Sequence, residues 1–316
     1  MALLENVFSW SKSRDEEFRE CQRKYFYARY LSWGGWDKNA PKEIRLAYIL
    51  KNIKNRWAWK GERVHHTIEA VLKSMRAGRP QNLEEALTSL TGVMRRDYLA
   101  SKGKKYFEDP KNNLGLFEHE YEKQISDDVW KKIHDEAAVC VKNFYASAFY
   151  QELLKDPKEN WLVIEDLEEF SFSTGVGPAS GGDGSKIYVK LDFARQKDGV
   201  VEIYDWKTGK NESEASVQMG AYAIYAMQKW KIPLSQVRAY LFYIANDSAI
   251  PQSYPLSENL IEEARKTMSS SIQTMKELLS DPTKNIPKPR ENFPFTSNER
   301  LCSSCNFYKI CEKYHS

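Results

Sequence analysis

Residues 191–209, LDFARQKDGVVEIYDWKTG, predict the central hairpin of a β-sheet. Apolar and polar residues alternate on both sides of Asp198-Gly199, and Asp-Gly is a favoured two-residue turn between antiparallel strands. With that turn, Lys197 faces Val200, and counting back along both strands places Asp192 directly opposite Asp205. Residues in such positions have Cβ atoms about 4.5–5.5 Å apart.

The two faces of this hairpin differ in character, because strand side chains point alternately to opposite faces. One face carries Asp192, Ala194, Asp205 and Lys207, and the other carries Leu191, Phe193, Tyr204 and Trp206. We expect the apolar face to be the packed one. Two facing carboxylates repel each other, and either Lys207 or a divalent cation between them would offset that repulsion. The residues alone therefore leave open a simple ion pair and a metal site.

The rest of the chain predicts helices before the hairpin and a mixed sheet around it. Apolar residues recur at three- and four-residue spacings, which predicts helices, in residues 13–31, 41–78, 82–102, 126–154, 213–230 and 257–281. Period-two or continuous apolar patterns predict strands at 161–174, 185–196, 200–209 and 236–246. Residues 175–185, GVGPASGGDGS, predict a loop.

We expect one α/β domain over residues 1–316. Its mainly helical part is 1–155, its sheet core 156–255, and a C-terminal helix with a group of cysteines occupies 256–316.

Composition narrows the class of protein. Hydrophobic residues make up 41% and charged residues 29%, which is typical of a globular protein. The net charge of +3 neither requires nor excludes nucleic acid, because a local basic groove can coexist with a nearly neutral total. The N-terminus turns polar after a few residues, and no apolar run approaches the roughly 18 residues of a membrane span. We therefore expect a cytoplasmic protein with no secretory leader and no membrane contact.

The five cysteines are Cys21, Cys140, Cys302, Cys305 and Cys311. Three of them form C-x2-C-x5-C in the segment RLCSSCNFYKICEKY, residues 300–314, and Cys21 can complete a four-thiolate site that joins the chain ends. Cys140 lies in an apolar helical stretch and is predicted to be a buried small hydrophobe. Disulfides are rare in the cytoplasm, and four thiolates suit either zinc or an iron–sulfur cluster.

At this point several segments resemble one family. Asp192 followed by Asp205-Trp206-Lys207 resembles the D…(D/E)-x-K core of the PD-(D/E)XK nuclease superfamily. GERVHHTIE, residues 61–69, resembles the G-x-x-x-H helix of its RecB-like branch, with Gly61 and His65 in register, and QMGAY, residues 218–222, resembles its Q-x-x-x-Y motif. One cysteine before the core and C-x2-C-x5-C after it resemble the members of that branch that carry a 4Fe–4S cluster.

The resemblance implies a restriction-endonuclease-like fold. In that fold a mixed sheet core carries an N-terminal or inserted helical region, and a cysteine-ligated cluster joins the termini. It further implies that Mg²⁺ or Mn²⁺ is bound by His65, Asp192, Asp205 and the backbone carbonyl of Trp206. Lys207 would act as a catalytic residue beside Asp192 and Asp205, and Gln218 and Tyr222 would support the site. Cys21, Cys302, Cys305 and Cys311 would hold the 4Fe–4S cluster, with structural zinc as the alternative.

Two further basic residues, Lys190 and His66, lie within or beside these motifs. The family often has glycine two residues before the motif aspartate, where this chain has Lys190, which would contact a phosphate or be solvated. His66 points about 100° away from His65 on a helix and is predicted to be solvated or at the edge of the core.

The functional expectation is a metal-dependent nuclease acting on DNA. The chain has no helicase-type GKS or GKT loop, which favours a stand-alone nuclease similar to the CRISPR-adaptation exonucleases, and AddB-type nuclease domains are also similar. We expect a single-stranded DNA exonuclease in DNA repair, recombination or CRISPR adaptation. The alternatives are a structure-specific endonuclease, a nuclease subunit of a larger complex, and a non-catalytic nucleic-acid-binding protein on the same fold.

Overall fold

The computed structural model describes residues 5–173, 184–209, 215–247 and 249–315. The α-helices are α1 (Lys12–Glu20), α2 (Gln22–Phe26), α3 (Lys42–Asn52), α4 (Arg56–Arg76), α5 (Leu83–Lys102), α6 (Phe117–Glu120), α7 (Asp127–Ala146), α8 (Ala148–Lys155), α9 (Ser216–Trp230), α10 (Glu258–Glu277) and α11 (Glu299–Cys302). The strands are β1 (Ser9–Trp10), β2 (Trp161–Phe172), β3 (Ser185–Lys197), β4 (Val200–Lys207), β5 (Val237–Tyr243), β6 (Gln252–Tyr254), β7 (Leu279–Asp281) and β8 (Ile286–Pro287). Residues 175–183 of the predicted loop lie outside the described residues.

Three segments predicted to be helical are interrupted. Cys21 has an extended backbone (φ −166°, ψ 114°) between α1 and α2, and its sulfur accepts from the Lys24 amide at 3.5 Å. Lys54 breaks the second segment by bonding to Gly115 and Phe117 through its own backbone. Ser147 breaks the fourth by capping α8, accepting from the Tyr150 amide at 3.1 Å. The spacing of apolar residues does not reveal these breaks, because each is made by local capping or by contacts with a distant segment.

The main sheet is mixed, as the sequence predicts. Its order is β1-β3-β4-β5-β6, with β2 pairing along β3. β3 pairs antiparallel with β2 and β4, and β4 pairs parallel with β5. A parallel pair needs a crossover connection, and α9 supplies it between β4 and β5. The fold is therefore an α/β arrangement of helices on a mixed sheet.

The predicted hairpin register is confirmed for five pairs, from Lys197↔Val200 to Phe193↔Tyr204. Asp198 and Gly199 have φ of 50° and 77°, the left-handed conformation that a two-residue hairpin turn of this kind requires. The turn chemistry thus fixes which residues of β3 and β4 face each other. The β3–β4 ladder ends at Phe193↔Tyr204, one pair before Asp192 and Asp205.

Both faces of the sheet are packed, which corrects the expectation of one packed face. One core contains Leu191, Ala194 and Ile203 together with residues of α9 and α10. The other contains the remaining apolar residues predicted for the hairpin, Phe193, Tyr204 and Trp206, with residues of α4, α7 and α8. A sheet that is buried on both faces is expected where a parallel pair is formed through a crossover helix.

Leu191 was predicted on the same face as Phe193, and that prediction is wrong. Leu191 belongs to the core that contains Ala194, so the alternation along β3 changes phase between residues 191 and 193. On the neighbouring strand β2, Glu165 falls between the pairs Ile164↔Phe193 and Asp166↔Leu191 and has φ of 54°, a left-handed conformation that is uncommon inside a strand.

Cys140 lies in the core between the sheet and the helices of the first half of the chain, as predicted. No described helix has both the length and the apolar character that a membrane crossing would require.

Candidate active site

Four elements meet at one edge of the sheet and form a groove of about 1090 Å³. α4 contributes His65, β3 contributes Asp192, β4 contributes residues 205–207, and α9 contributes Gln218 and Tyr222. The structure therefore brings all seven predicted active-site residues to one groove, although they are spread over more than 150 positions of the chain.

Asp192 and Asp205 are both buried, each with 4% of its surface exposed. The Asp192 Oδ2 atom accepts a hydrogen bond from the backbone amide of Trp206 at 2.7 Å. Burial raises the pKa of Asp192 to about 6; the His65 side chain opposes this shift, and the carboxylate of Asp205 adds to it. The two aspartates thus form the repelling carboxylate pair that the hairpin predicts.

Asp205 is held by three neighbours. Its Oδ1 atom accepts from Gln218 Nε2 at 2.9 Å and lies 3.2 Å from the Tyr222 hydroxyl. Its Oδ2 atom lies 2.7 Å from Lys207 Nζ, outside hydrogen-bond geometry. Lys207 also donates to Gln218 Oε1 at 3.1 Å. The ion pair expected from the spacing of Asp205 and Lys207 is present, as one part of a larger network.

Gln218 and Tyr222 lie one turn apart on α9 and bond to each other at 2.8 Å. The Tyr222 hydroxyl donates to the backbone carbonyl of Lys190 at 2.6 Å. Burial, together with the charges of Asp205 and Asp192, holds the pKa of Tyr222 well above its ordinary value, so the hydroxyl keeps its proton. The Q-x-x-x-Y segment therefore fixes Asp205 and β3 to the same helix.

His65 faces two carboxylates. Its Nδ1 atom lies 2.9 Å from Glu165 Oε1 and 3.2 Å from Asp192 Oδ1. Burial disfavours the charged imidazole, but Asp192 and Glu165 outweigh it and raise the pKa of His65 well above its ordinary value. The His66 side chain is 42% exposed and lies 3.2 Å from Arg63 Nη1, as expected for a solvated histidine, although it also lines the groove.

Glu165 is a residue that the sequence analysis missed. Its side chain is fully buried, and Oε2 lies 2.8 Å from Lys190 Nζ. Among the described residues, His65, Glu165 and Asp192 are the group whose ligand atoms lie close enough, within 4.8 Å of one another, to hold a metal ion. The available signal was an acidic residue inside the apolar strand segment WLVIED. Lys190, predicted to contact phosphate or solvent, is paired with this carboxylate.

Gly61 of the G-x-x-x-H segment lies where α4 approaches the end of β4. A Cβ at this position would lie 3.1 Å from Thr208 Oγ1, which is tighter than an ordinary contact. Glycine therefore lets α4 come close enough to bring His65, one helical turn later, beside the carboxylates.

The four cysteines of the predicted cluster, Cys21, Cys302, Cys305 and Cys311, line one cavity and are free thiols. Burial raises the pKa of Cys305 to about 11. Beside the cavity, Arg23 of α2 lies 2.8 Å from Glu312 and donates to the Phe293 carbonyl at 2.9 Å. The two ends of the chain therefore meet where the thiols converge.

The family model that describes the PD-(D/E)XK nuclease superfamily matches residues 9–312. No curated protein matches the chain significantly. A crystal structure from Eubacterium rectale, described as that of a "putative exonuclease", is similar at 11% identity with a TM-score of 0.30, over 66% of this chain and 80% of the other. A likeness of this size carries no conclusion about this chain.

Proposed function

The chain belongs to the PD-(D/E)XK nuclease superfamily, and on that premise we propose that it is a Mg²⁺- or Mn²⁺-dependent deoxyribonuclease of the RecB-like branch. Membership of the superfamily implies a hydrolytic nuclease. The observation that carries the finer proposal is the buried pair Asp192 and Asp205, connected to Lys207 on one side and to His65 on the other. We propose that its substrate is single-stranded DNA, degraded from an end.

The groove contains carboxylate, imidazole and carbonyl groups that can bind a hard divalent ion. We propose that Asp192, Asp205, His65 and the backbone carbonyl of Trp206 hold it, and we add Glu165 to this set. Carboxylate and carbonyl oxygens suit Mg²⁺, and an imidazole favours Mn²⁺. Two buried carboxylate oxygens, Asp205 Oδ2 and Glu165 Oε2, accept no hydrogen bond from the described residues. Each faces a lysine ammonium, Lys207 at 2.7 Å and Lys190 at 2.8 Å, so positive charge already lies where we propose the ion binds. When bound, the ion lowers the pKa of a coordinated water and polarises the phosphate.

The neighbouring side chains have roles that follow from their contacts. Lys207 presents an ammonium next to Asp205, where it orients the attacking water and offsets charge on the phosphate oxygens. Gln218 bonds to both Lys207 and Asp205 and so fixes the distance between them. Tyr222 ties Asp205 to the backbone of β3. We therefore assign Asp192, Asp205 and Lys207 to catalysis, and Gln218 and Tyr222 to support.

We also propose that Cys21, Cys302, Cys305 and Cys311 hold a 4Fe–4S cluster that joins the termini of a single domain. The four thiols line one cavity, and four thiolates suit such a cluster, with structural zinc as the alternative.

The biological setting remains part of the proposal. We propose that the protein acts in the cytoplasm, in DNA repair, recombination or CRISPR adaptation, alone or together with protein partners. A structure-specific endonuclease or a nuclease subunit of a larger complex would use the same active site. A non-catalytic nucleic-acid-binding protein is the less favoured alternative, because the acidic pair and its lysine are all present.

The test is a digestion of four substrates with Mg²⁺ or Mn²⁺: an end-labelled linear single strand, a closed single-stranded circle, a flapped duplex and a linear RNA of the same sequence. We expect shortening of the linear DNA strand and survival of the circle, with no digestion by Asp205→Ala. Cleavage of the circle or of the flap junction would favour the endonuclease. Binding without cleavage under all conditions would favour the non-catalytic alternative.

A further inference from the structure

The groove that contains the proposed active site is lined by five lysines and arginines, and four of them are paired with carboxylates. Lys12 lies 2.6 Å from Glu16, Lys190 lies 2.8 Å from Glu165, Lys207 lies 2.7 Å from Asp205, and Lys54 contacts Glu62. The fifth is Arg14. Within the described ranges no carboxylate lies at ion-pair distance from it, and its Nη1 atom donates instead to the carbonyl oxygen of Ser9 at 2.8 Å and to the Ser9 hydroxyl.

Arg14 is held in place while part of its guanidinium stays free. Its guanidinium carbon lies 5.7 Å from the centre of the Tyr188 ring, and Tyr188 also lines the groove. Only Nη1 is occupied, by Ser9, so Nε and Nη2 have no acceptor in the part of the chain that the structure describes. A guanidinium fixed at one nitrogen and open at the others is arranged to receive an anionic ligand.

Two further cations, Arg29 and Lys51, lie near enough to Arg14 for the charges to affect one another. Arg29 lies 2.8 Å from Glu17. Burial, followed by the charge of Arg29, lowers the pKa of Lys51 to about 8, with Glu17 opposing and Arg14 adding to the shift. Burial and Arg29 likewise lower the pKa of Arg14. Arg14, Arg29 and Lys51, which we call the basic cluster, therefore concentrate positive charge that Glu17 neutralises only in part.

We propose that the basic cluster binds a phosphate of the DNA strand, with Arg14 making the contact from within the groove. The inference rests on the proposed nuclease function and extends it to how the strand is held. A planar guanidinium matches two phosphate oxygens, and an anion would offset the charge of Arg29 and Lys51. The phosphate is either an internal phosphodiester or a terminal phosphate, because both present the same oxygens. Arg14 is thus a positioning residue, separate from the residues that act on the scissile bond.

Binding is measured without metal, by fluorescence anisotropy of a labelled single-stranded oligonucleotide at several salt concentrations. We expect Arg14→Ala to raise the Kd about tenfold and to reduce the slope of log K against log salt by about 0.7, the contribution of one phosphate contact on a single strand. Lys51→Ala, on a different helix, shifts both quantities in the same direction. Arg14→Lys keeps the salt slope and recovers only part of the affinity. Arg96→Ala removes an exposed arginine of α5 and serves as the matched control.

The melting temperature of each variant identifies any that fails to fold, in which case Lys51→Ala and Arg14→Lys still decide the question. In cleavage assays Arg14→Ala raises KM more than it lowers kcat. Wild-type Kd and salt slope in both alanine variants would overturn the role of the basic cluster, whether or not the protein cuts DNA. Failure of the wild type to cut DNA, with binding that depends on Arg14, would instead remove the nuclease proposal and keep the phosphate site.

A second comparison separates the two kinds of phosphate. The affinities of wild type and of Arg14→Ala are measured for two oligonucleotides of the same sequence, one with a 5′-phosphate and one with a 5′-hydroxyl. An equal loss of affinity for both assigns Arg14 to an internal phosphodiester. A loss confined to the phosphorylated strand assigns it to the terminal phosphate.

Discussion

The facing positions of Asp192 and Asp205 could be predicted from the sequence. Their positions depend on an Asp-Gly turn and on counting along two strands, and the register agrees with that count as far as Phe193↔Tyr204. Glu165 could not be found in this way. It reaches the carboxylate group through a left-handed backbone at φ 54°, a feature that period-two patterning does not include.

His65 and His66 give a comparison between adjacent residues of one helix. Only His65 contacts Glu165 and Asp192, whereas His66 contacts Arg63. We expect His65→Ala to raise the Mg²⁺ concentration needed for half-maximal cleavage by about tenfold or more, as for loss of a metal-site group, and His66→Ala to change it little. A metal titration of the cleavage rate checks this. Equal shifts, or a larger shift for His66→Ala, would mean that the helix motif is assigned to the wrong histidine.

Glu165→Gln tests the residue that the structure adds to the site. The amide keeps the shape of the side chain but removes the charge that faces His65 and Lys190. We expect Mn²⁺ affinity, measured by calorimetry without DNA, to fall about 10- to 100-fold. Glu168→Gln, on the same strand and paired with Lys229, is the control. Unchanged Mn²⁺ binding in Glu165→Gln would exclude this carboxylate from the metal site.

At the scale of elements, strands and helices were predicted better than their ends. Turn residues mark a hairpin directly, so β3 and β4 could be placed with their register. The helix breaks at Cys21, Lys54 and Ser147 depend on capping bonds or on a distant segment, as the bonds of Lys54 to Gly115 and Phe117 show. The short strand β1 was not predicted, because two residues carry too little pattern.

Substitution by alanine should change the stability of the protein in opposite directions at two glycines, one in the hairpin turn and one in α5. Gly199 has φ of 77°, so Gly199→Ala forces a side chain into a left-handed conformation and should destabilise the protein by about 1 kcal/mol. Gly92 lies inside α5 with open space around it, so Gly92→Ala should stabilise the protein by a similar amount. Urea unfolding measures both. Stabilisation by Gly199→Ala would contradict the turn assignment.

At the scale of the whole molecule, the notable feature is the meeting of the two chain ends. The family resemblance implied that Cys21 would join Cys302, Cys305 and Cys311 in one site, and the four line one cavity. The ion pair between Arg23 and Glu312, which supports that meeting, could not be read from the sequence because charged residues are too numerous to pair by pattern.

Cys21→Ser tests the proposed cluster. A cluster that ties residue 21 to residues 302–311 closes most of the chain into one loop, and removing such a link should cost several kcal/mol of stability. We expect anaerobically purified Cys21→Ser to lose iron, sulfide and brown colour and to melt at a lower temperature. Cys140→Ala, in the core away from the cavity, should keep its iron. Full iron and sulfide in Cys21→Ser would place the fourth ligand elsewhere, and one zinc with no iron in the wild type would replace the cluster by zinc.

The central claim is that Asp192 and Asp205, with Lys207, cut DNA. The most direct measurement is the rate at which the wild type and the double variant Asp192→Ala/Asp205→Ala shorten an end-labelled single strand in Mg²⁺ or Mn²⁺, with binding of the same strand measured in parallel. We predict that the double variant, like Lys207→Ala, binds the strand nearly as well as the wild type, because binding rests on phosphate contacts, but does not cut it. Cleavage by the double variant at a rate comparable to wild type would contradict the account.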